Sequence, residues 1–145
     1  MLKDMHHGVE GAIVIPPAVY SADVEPDALD LQGYTGCEVF LTVGVGGITF
    51  NGSNRIEFIL EDSDDNTAFE AVRPELILGA GEVTDGIVKS LTSAHAAAAV
   101  YRVGYVGYRR YLRLRVNFNG SHGTGTAITA SAILGPMKAP VPDQI

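Results

Sequence analysis

The chain has one cysteine, no tryptophan and no long apolar run, and each of these absences excludes a class of protein. Because Cys37 is alone, no disulfide can form within the chain, which excludes a small secreted scaffold held together by disulfides. No apolar stretch approaches the roughly 18 residues that indicate a membrane helix, so we expect no contact with a membrane. The first residues lack the apolar segment of a signal peptide. We therefore expect a protein made in the cytoplasm without a cleaved export signal.

The length and composition indicate one globular domain built from short elements. A chain of 145 residues suits a single hydrophobic core. The apolar share of 46% and the charged share of 19% are ordinary for a globular protein. Seventeen glycines and seven prolines are spread along the chain, which favours many turns over long helices.

The charges are divided unevenly along the chain. Residues 1–85 hold 16 acidic residues against three basic ones, a net charge of −13, whereas residues 86–145 hold one acidic residue against seven basic ones, a net charge of +6. The overall charge of −7 argues against non-specific binding to nucleic acid. The acidic half could instead complement the basic half of a neighbouring copy, which favours self-association.

Alternating apolar residues predict a set of β-strands. Three segments show the period of two most clearly, because Val39, Leu41 and Val43 share one face, as do Ile56, Phe58 and Leu60, and then Leu112, Leu114, Val116 and Phe118. Strands are predicted at 12–15, 37–43, 55–61, 68–72, 100–106, 110–118 and 127–134.

Several connections are also predicted. Pro16 and Pro17 should stop the first strand, and the acidic turn after residue 61 should return the chain into a hairpin. Residues 74–78 form either a strand or a single turn, and the alanine-rich segment 93–99 forms a helical turn or a loop. The fold class is therefore all-β, a jelly-roll-like antiparallel sandwich of seven to nine strands. It occupies residues 12–135, between an N-terminal arm (1–11) and a proline-rich C-terminal tail (136–145).

The sequence indicates no catalytic site, cofactor or metal. Residues 61–66 are rich in oxygen ligands, yet they depart from the spacing of an EF-hand loop and are better explained as a hairpin turn. The four histidines have no sequence partner at the spacing of a zinc site. Cys37 begins an apolar strand, and Ser121 beside His122 does not make a triad. We therefore predict a protein that is not an enzyme.

One segment favours contact with another surface. Residues 101–115 form a strand, a turn and a second strand, and they carry five arginines interleaved with tyrosines, residue types that often anchor protein interfaces. The alternative is a solvated strand face with cation–π pairs inside one subunit. The interface candidates are Arg102, Tyr105, Tyr108, Arg109, Arg110, Tyr111, Arg113 and Arg115.

The segments 101–107 and 110–113 resemble a pattern of small phage and prophage proteins encoded beside the major capsid protein. Residues 31–34 and the strand, acidic turn and aromatic residue of 58–69 are similar to the same family, and the resemblance covers about residues 29–139. That family resembles the cement, or decoration, proteins of tailed phages, which are jelly-roll oligomers on the outside of an HK97-like capsid shell.

The resemblance implies a virion structural protein made in the host bacterial cytoplasm and located on the capsid exterior. Its partners would be the major capsid protein and further copies of itself, as a dimer or trimer, and the arm and tail would reach neighbours and order on assembly. Two alternatives stay open. One is a carbohydrate-binding β-sandwich on a virion surface, which the absence of tryptophan disfavours, and the other is a head–tail joining or tail component.

Overall fold

The computed structural model describes residues 4–136 and 141–145 and places ten β-strands in two antiparallel sheets. The described residues also contain two 3₁₀ turns, His6–Gly8 and Pro74–Leu76. None of the helical segments described is long and apolar enough to cross a membrane. The strands are β1 (Glu10–Tyr20), β2 (Leu29–Asp30), β3 (Gly36–Val43), β4 (Arg55–Ser63), β5 (Glu70–Ala71), β6 (Ile77–Leu78), β7 (Ile87–Leu91), β8 (Ala99–Tyr105), β9 (Tyr111–Asn119) and β10 (Thr126–Gly135).

The two sheets pack face to face, which confirms the predicted all-β sandwich. The first sheet has the order β1-β10-β3-β8-β6, and the second sheet has the order β2-β9-β4-β5, with β7 also paired to β4. The core lies between them, and its apolar side chains with no more than 1% exposure include Ile15, Val39, Val43, Ile56, Phe58, Leu60, Leu112, Leu114 and Val116.

Strand pairing is nested from the ends of the chain inward. β1 pairs with β10, β2 with β9, β3 with β8 and β4 with β7, all antiparallel. As a result, β8 and β9 lie in different sheets although they follow each other in the sequence. The predicted strand, turn and strand at residues 101–115 are therefore present, but the two strands do not pair with each other, and residues 106–110 cross from one sheet to the other.

The predicted alternation of faces is confirmed in the central strands. Every second residue of β3 is buried from Cys37 to Val43, and β9 buries Leu112, Leu114 and Val116. The hairpin that follows the acidic turn is also confirmed in a shorter form, because Glu61 pairs with Ala71 across β4 and β5. The period of two therefore identified the inward face of the sandwich correctly.

One predicted strand boundary is wrong, and one alternative left open by the sequence is decided by the structure. The first strand does not stop at Pro16 and Pro17, because β1 is an edge strand with register shifts on either side of Ile15, and an edge position tolerates a residue without an N–H. Of the two alternatives for the alanine-rich segment, the structure shows the loop at residues 92–98, where the ring of His95 hydrogen bonds to the carbonyl of Gly44 and to the hydroxyl of Tyr101. Strand β7 was not predicted at all.

At Gly47, the loop after β3 passes so close to the loop before β10 that no side chain fits. A Cβ added at Gly47 would overlap the carbonyl oxygen of Gly125 and lie 2.8 Å from its nitrogen, whereas a Cβ at Gly52 would meet nothing within 4 Å. We expect Gly47→Ala to lower the free energy of unfolding by about 1–3 kcal/mol through overpacking, and the matched control Gly52→Ala to change it by less than about 0.5 kcal/mol. Chemical denaturation measures both, and equal effects would contradict the close approach.

Candidate interaction surface

The eight predicted interface residues do not share one surface. Arg102 and Tyr105 belong to β8 in the first sheet, whereas Tyr111, Arg113 and Arg115 belong to β9 in the second sheet. Tyr108, Arg109 and Arg110 lie in the crossing between the sheets. The sequence pattern is therefore distributed over both outer faces, one end and the interior of the sandwich.

Tyr105 and Arg109 both contact the buried side chain of Asp62 within the chain. Tyr105 is 4% exposed, and its hydroxyl donates to Oδ2 of the buried Asp62 across the two sheets at 2.8 Å. Burial and this hydrogen bond raise the pKa of Tyr105. Arg109 contacts the other oxygen of Asp62 at 3.3 Å, and also Glu70 at 2.7 Å and Asp64 at 3.6 Å. Tyr105 offers no surface for a protein contact.

Arg113 and Arg115 share one carboxylate on the outer face of the second sheet. Arg113 lies opposite Glu61 in the ladder of β4 and β9 and donates to its Oε2 at 2.8 Å, while Arg115 donates to Oε1 at 2.9 Å. The guanidinium of Arg113 also lies 3.9 Å from the ring centroid of Phe69. Cross-strand pairs of opposite charge stabilise a sheet, so both arginines are used within the chain.

Arg110 makes a two-bond contact with Asp30. Its Nε and Nη2 donate to the two carboxylate oxygens at 2.8 and 2.7 Å, and its guanidinium lies 5.1 Å from the ring centroid of Tyr111. These hydrogen bonds from Arg110 lower the pKa of Asp30 to about 2. The pair fastens the short strand β2 to the crossing.

Two of the candidates are open to a partner. Tyr108 is 98% exposed, and the side chain of Arg102 is 67% exposed with its nearest acid, Glu38, at 3.5 Å. Arg109, Arg110 and the two arginines of β9 have acidic partners from residues 1–85. For these four arginines, the charge complementarity between the halves of the sequence is thus used inside one chain.

A different surface, which the sequence analysis missed, carries little charge. It is the outer face of the first sheet, where the register aligns Ile13, Ser131, Phe40 and Arg102 in one row, and Thr129, Thr42 and Val100 in the next. Within the strands of this sheet, Glu38 and Arg102 are the charged residues on that face, and they contact each other. We call it the apolar face; its most exposed apolar side chains are Ile13, Val19, Leu78, Val100 and Ile133.

The edges of the first sheet are unsuited to pairing with another strand. One edge is β1, where Pro16 and Pro17 lack N–H groups and the register shifts twice. The other edge is β6, which has two residues. Such features protect sheets against edge-to-edge association. The apolar face is therefore the part of this sheet that is open to contact.

An open cleft of about 550 Å³ lies beside the crossing, between Tyr34 and Tyr108. Cys37 lines it, and burial raises the pKa of this thiol to about 12, which makes it a poor nucleophile. Arg109 and Arg110 also line the cleft, but their guanidinium groups are paired with acids. Among the described residues that line the cleft, no histidine or carboxylate lies beside the thiol.

The acidic turn is closed by its own hydrogen bonds. Asp65 Oδ1 accepts from the backbone N–H groups of Thr67 and Ala68 and from the hydroxyl of Ser63. Glu61 and Asp62 are held by arginines, as described above. This arrangement agrees with the interpretation of residues 61–66 as a hairpin turn.

The histidines fall into two groups. His122 is 4% exposed and hydrogen bonds through Nε2 to the carbonyl of Asn119 at 2.7 Å, and His95 holds the loop before β8. His6 and His7 are exposed and lie beside Asp143 of the C-terminal segment. No local sequence pattern indicates this group, because 137 positions separate His6 from Asp143.

Comparison with known proteins adds little. No family model and no curated protein matches the chain. Among solved structures, it is similar to a chain described under "Bacillus endospore appendages form a novel family of disulfide-linked pili", with 13% identity, a TM-score of 0.33, and coverage of 95% of this chain and 99% of that chain. A likeness at this level supports no conclusion about fold or function.

Arg109 contacts both the buried Asp62 and the exposed Asp64, so substitution of each acid compares the contribution of a buried and an exposed ion pair to stability. Asp62→Asn should lower the free energy of unfolding by about 1–3 kcal/mol, because it removes the charge that Tyr105 and Arg109 satisfy in the interior. Asp64→Asn is the control, since its side chain is 78% exposed, and it should change stability by less than about 0.5 kcal/mol. Denaturant unfolding measures both. Equal losses would show that the internal contact has no special role.

The pKa of Asp30 makes a prediction about acid stability. The carboxyl has a folded pKa of about 2 against an ordinary value of 3.8, so its pair with Arg110 stabilises the fold fully above the ordinary value and is lost as the pH falls towards 2. The stability difference between the wild type and Asp30→Asn should therefore be largest near neutral pH and disappear in this acid range. Thermal unfolding at a series of pH values measures it, and a difference that does not depend on pH would contradict the assignment.

Proposed function

We propose that this protein is a virion structural protein that decorates and stabilises the head of a tailed phage through protein–protein contacts. The observation that carries the proposal is the apolar face, which is broad, nearly uncharged and bordered by edges that resist strand pairing. Several exposed apolar side chains gathered on one face of a sheet often mark a contact site. The resemblance of residues 29–139 to capsid cement proteins supplies the kind of partner.

The strand pairing supports a jelly-roll assignment within this proposal. When β5 and β6 are set aside, the remaining eight strands form two four-stranded sheets, β1-β10-β3-β8 and β2-β9-β4-β7, which is the division expected of a double-sheet jelly roll. This architecture presents two flat outer faces. The charged and internally paired face of the second sheet would remain in water, and the apolar face would rest on the shell.

Repetition explains how a modest contact can stabilise a shell. Each copy would contribute a weak interface, and the symmetry of the head would multiply it over many copies. Arg102 and Glu38 form a weak pair at the middle of the apolar face, so either side chain can exchange its partner for one on the major capsid protein or on another copy. Tyr108 is exposed at the end of the sandwich and can reach a neighbour there.

The proposal predicts that charge on the apolar face abolishes binding to heads. Val100 on that face and Val45 in the loop after β3 are 62% and 60% exposed, so Val100→Lys and Val45→Lys form a matched pair. Heads of the phage that encodes the protein, prepared without it, should bind the wild type and Val45→Lys in co-sedimentation, but not Val100→Lys. Cryo-electron microscopy of the complex should show density outside the shell. Density elsewhere on the particle, or none, would refute the decoration role, and equal binding by both variants would move the contact away from the apolar face.

A further inference from the structure

The described ends of the chain lie against each other. The N–H of Val141 donates to the carbonyl of His7 at 2.8 Å, and the side-chain amide of Gln144 both donates to and accepts from the backbone of Gly11 at 2.9 Å. Val141 is 4% exposed. These contacts place the C-terminal segment 141–145 beside the residues that enter β1, so the described parts of the predicted arm and tail contact each other.

Three side chains of the types that bind metals come together at this junction, and a fourth, Asp4, contacts one of them. His6 Nε2 lies 2.8 Å from Asp143 Oδ1, and His7 Nδ1 lies 2.7 Å from Asp4 Oδ2. The rings of the two histidines are in edge contact, with centroids 4.9 Å apart. One ligand atom from each of His6, His7 and Asp143 can be chosen so that all of them lie within 4.8 Å of one another. All three residues are exposed, so an ion can enter from solvent without opening the fold.

The donor atoms at the junction suit a metal ion of intermediate softness, such as Zn²⁺. Imidazole nitrogen and carboxylate oxygen are ordinary ligands of Zn²⁺, at about 2.0–2.2 Å in a tetrahedral arrangement. Tetrahedral geometry at those bond lengths places ligand atoms roughly 3.4 Å apart. Rotation of exposed side chains can bring the donors that close together. The simple alternative is a pair of surface contacts between histidine and aspartate, and these contribute little to stability.

We propose that His6, His7 and Asp143 form a Zn²⁺ site, with Asp4 as a fourth ligand, that fastens the N-terminal residues to the C-terminal segment. The two carboxylates that now accept hydrogen bonds from the histidines would turn to the ion, and the histidines would bind it through neutral ring nitrogens. Because the ligands come from both ends of the chain, the ion binds the joined state and stabilises it by mass action. This inference does not depend on the proposed function.

Calorimetric titration of ZnCl₂ into the full chain, in a buffer that does not bind metal, tests the site. Asp143→Asn and His6→Gln should each weaken binding by at least about tenfold, equivalent to about 1.4 kcal/mol. Asp27→Asn, an exposed substitution of the same kind away from the junction, should bind like the wild type. These side chains are exposed, so the variants should fold.

A second measurement separates a site between both ends from binding by the two adjacent histidines alone. Zn²⁺ should slow hydrogen exchange at the N–H groups of Val141 and Gly11 in the wild type, and this effect should be absent in Asp143→Asn. If Asp143→Asn binds zinc as tightly as the wild type, or if the wild type binds more weakly than about 100 μM, the proposed site does not exist. If zinc binds without slowing exchange at Val141, it does not join the ends.

Discussion

The fold depends on satisfying a carboxylate that the alternation of β4 directs into the sandwich. Asp62 follows Ile56, Phe58 and Leu60 on the inner face, and it is 4% exposed. A buried charge is costly unless it is paired and hydrogen-bonded. Tyr105 supplies a hydroxyl from the opposite sheet, and Arg109 supplies a guanidinium from the crossing. This one carboxylate therefore links both sheets and the segment that connects them.

The same requirement determines the shape of the crossing. Tyr105 and Arg109 both turn towards Asp62, and Gly107 passes directly over the ring of Tyr105, where a Cβ would not fit. Tyr108 has no place inside and emerges fully into solvent. In sequence, residues 101–115 resemble a row of contact residues. In the structure, several of them pair with the buried acids Asp62 and Glu61, and Tyr108 is the aromatic side chain that points into solvent.

Neutralisation within the chain also makes the two outer faces of the sandwich different. Strands β4 and β9 lie side by side in the second sheet, so the acids of the first half of the sequence meet the bases of the second half there. The strands of the first sheet contribute small, hydroxylated or apolar side chains to their outer face. Association through that face would rely on burial of apolar surface and would respond weakly to salt, since screening acts on exposed charges.

The sequence allowed the local structure to be predicted, but not the contacts between distant segments. Alternation placed Val39, Phe58 and Leu114 in the core, because a period of two is a property of each strand by itself. It could not show that β8 and β9 belong to different sheets, since that depends on how the whole chain pairs. The strand β1 continues through Pro16 only because it lies at an edge, and an edge is defined by the complete sheet.

The candidate surface was missed for a related reason. Arginine and tyrosine stand out in a sequence, whereas Ala127, Thr129 and Ser131 do not, although they line the apolar face at every second position of β10. The basic residues stand out in the sequence, but whether their partners lie in the same chain or in another copy does not, because the acids of residues 1–85 become their neighbours only after folding. A charge division along a sequence therefore predicts an electrostatic contact without specifying whether it lies within one chain or between two.

The junction of the two ends bears directly on how the protein could assemble. An arm and a tail that reach neighbouring subunits must first leave each other, which breaks the contacts of Val141 with His7 and of Gln144 with Gly11. These few hydrogen bonds lie at the surface, where local opening is easy compared with unfolding of the core. If the ends reach neighbours in an assembly, joined and reaching ends would be alternative states, and a ligand that binds only the joined state would shift the balance away from reaching. The apolar face is present in both states, so contact through the first sheet does not require the ends to separate.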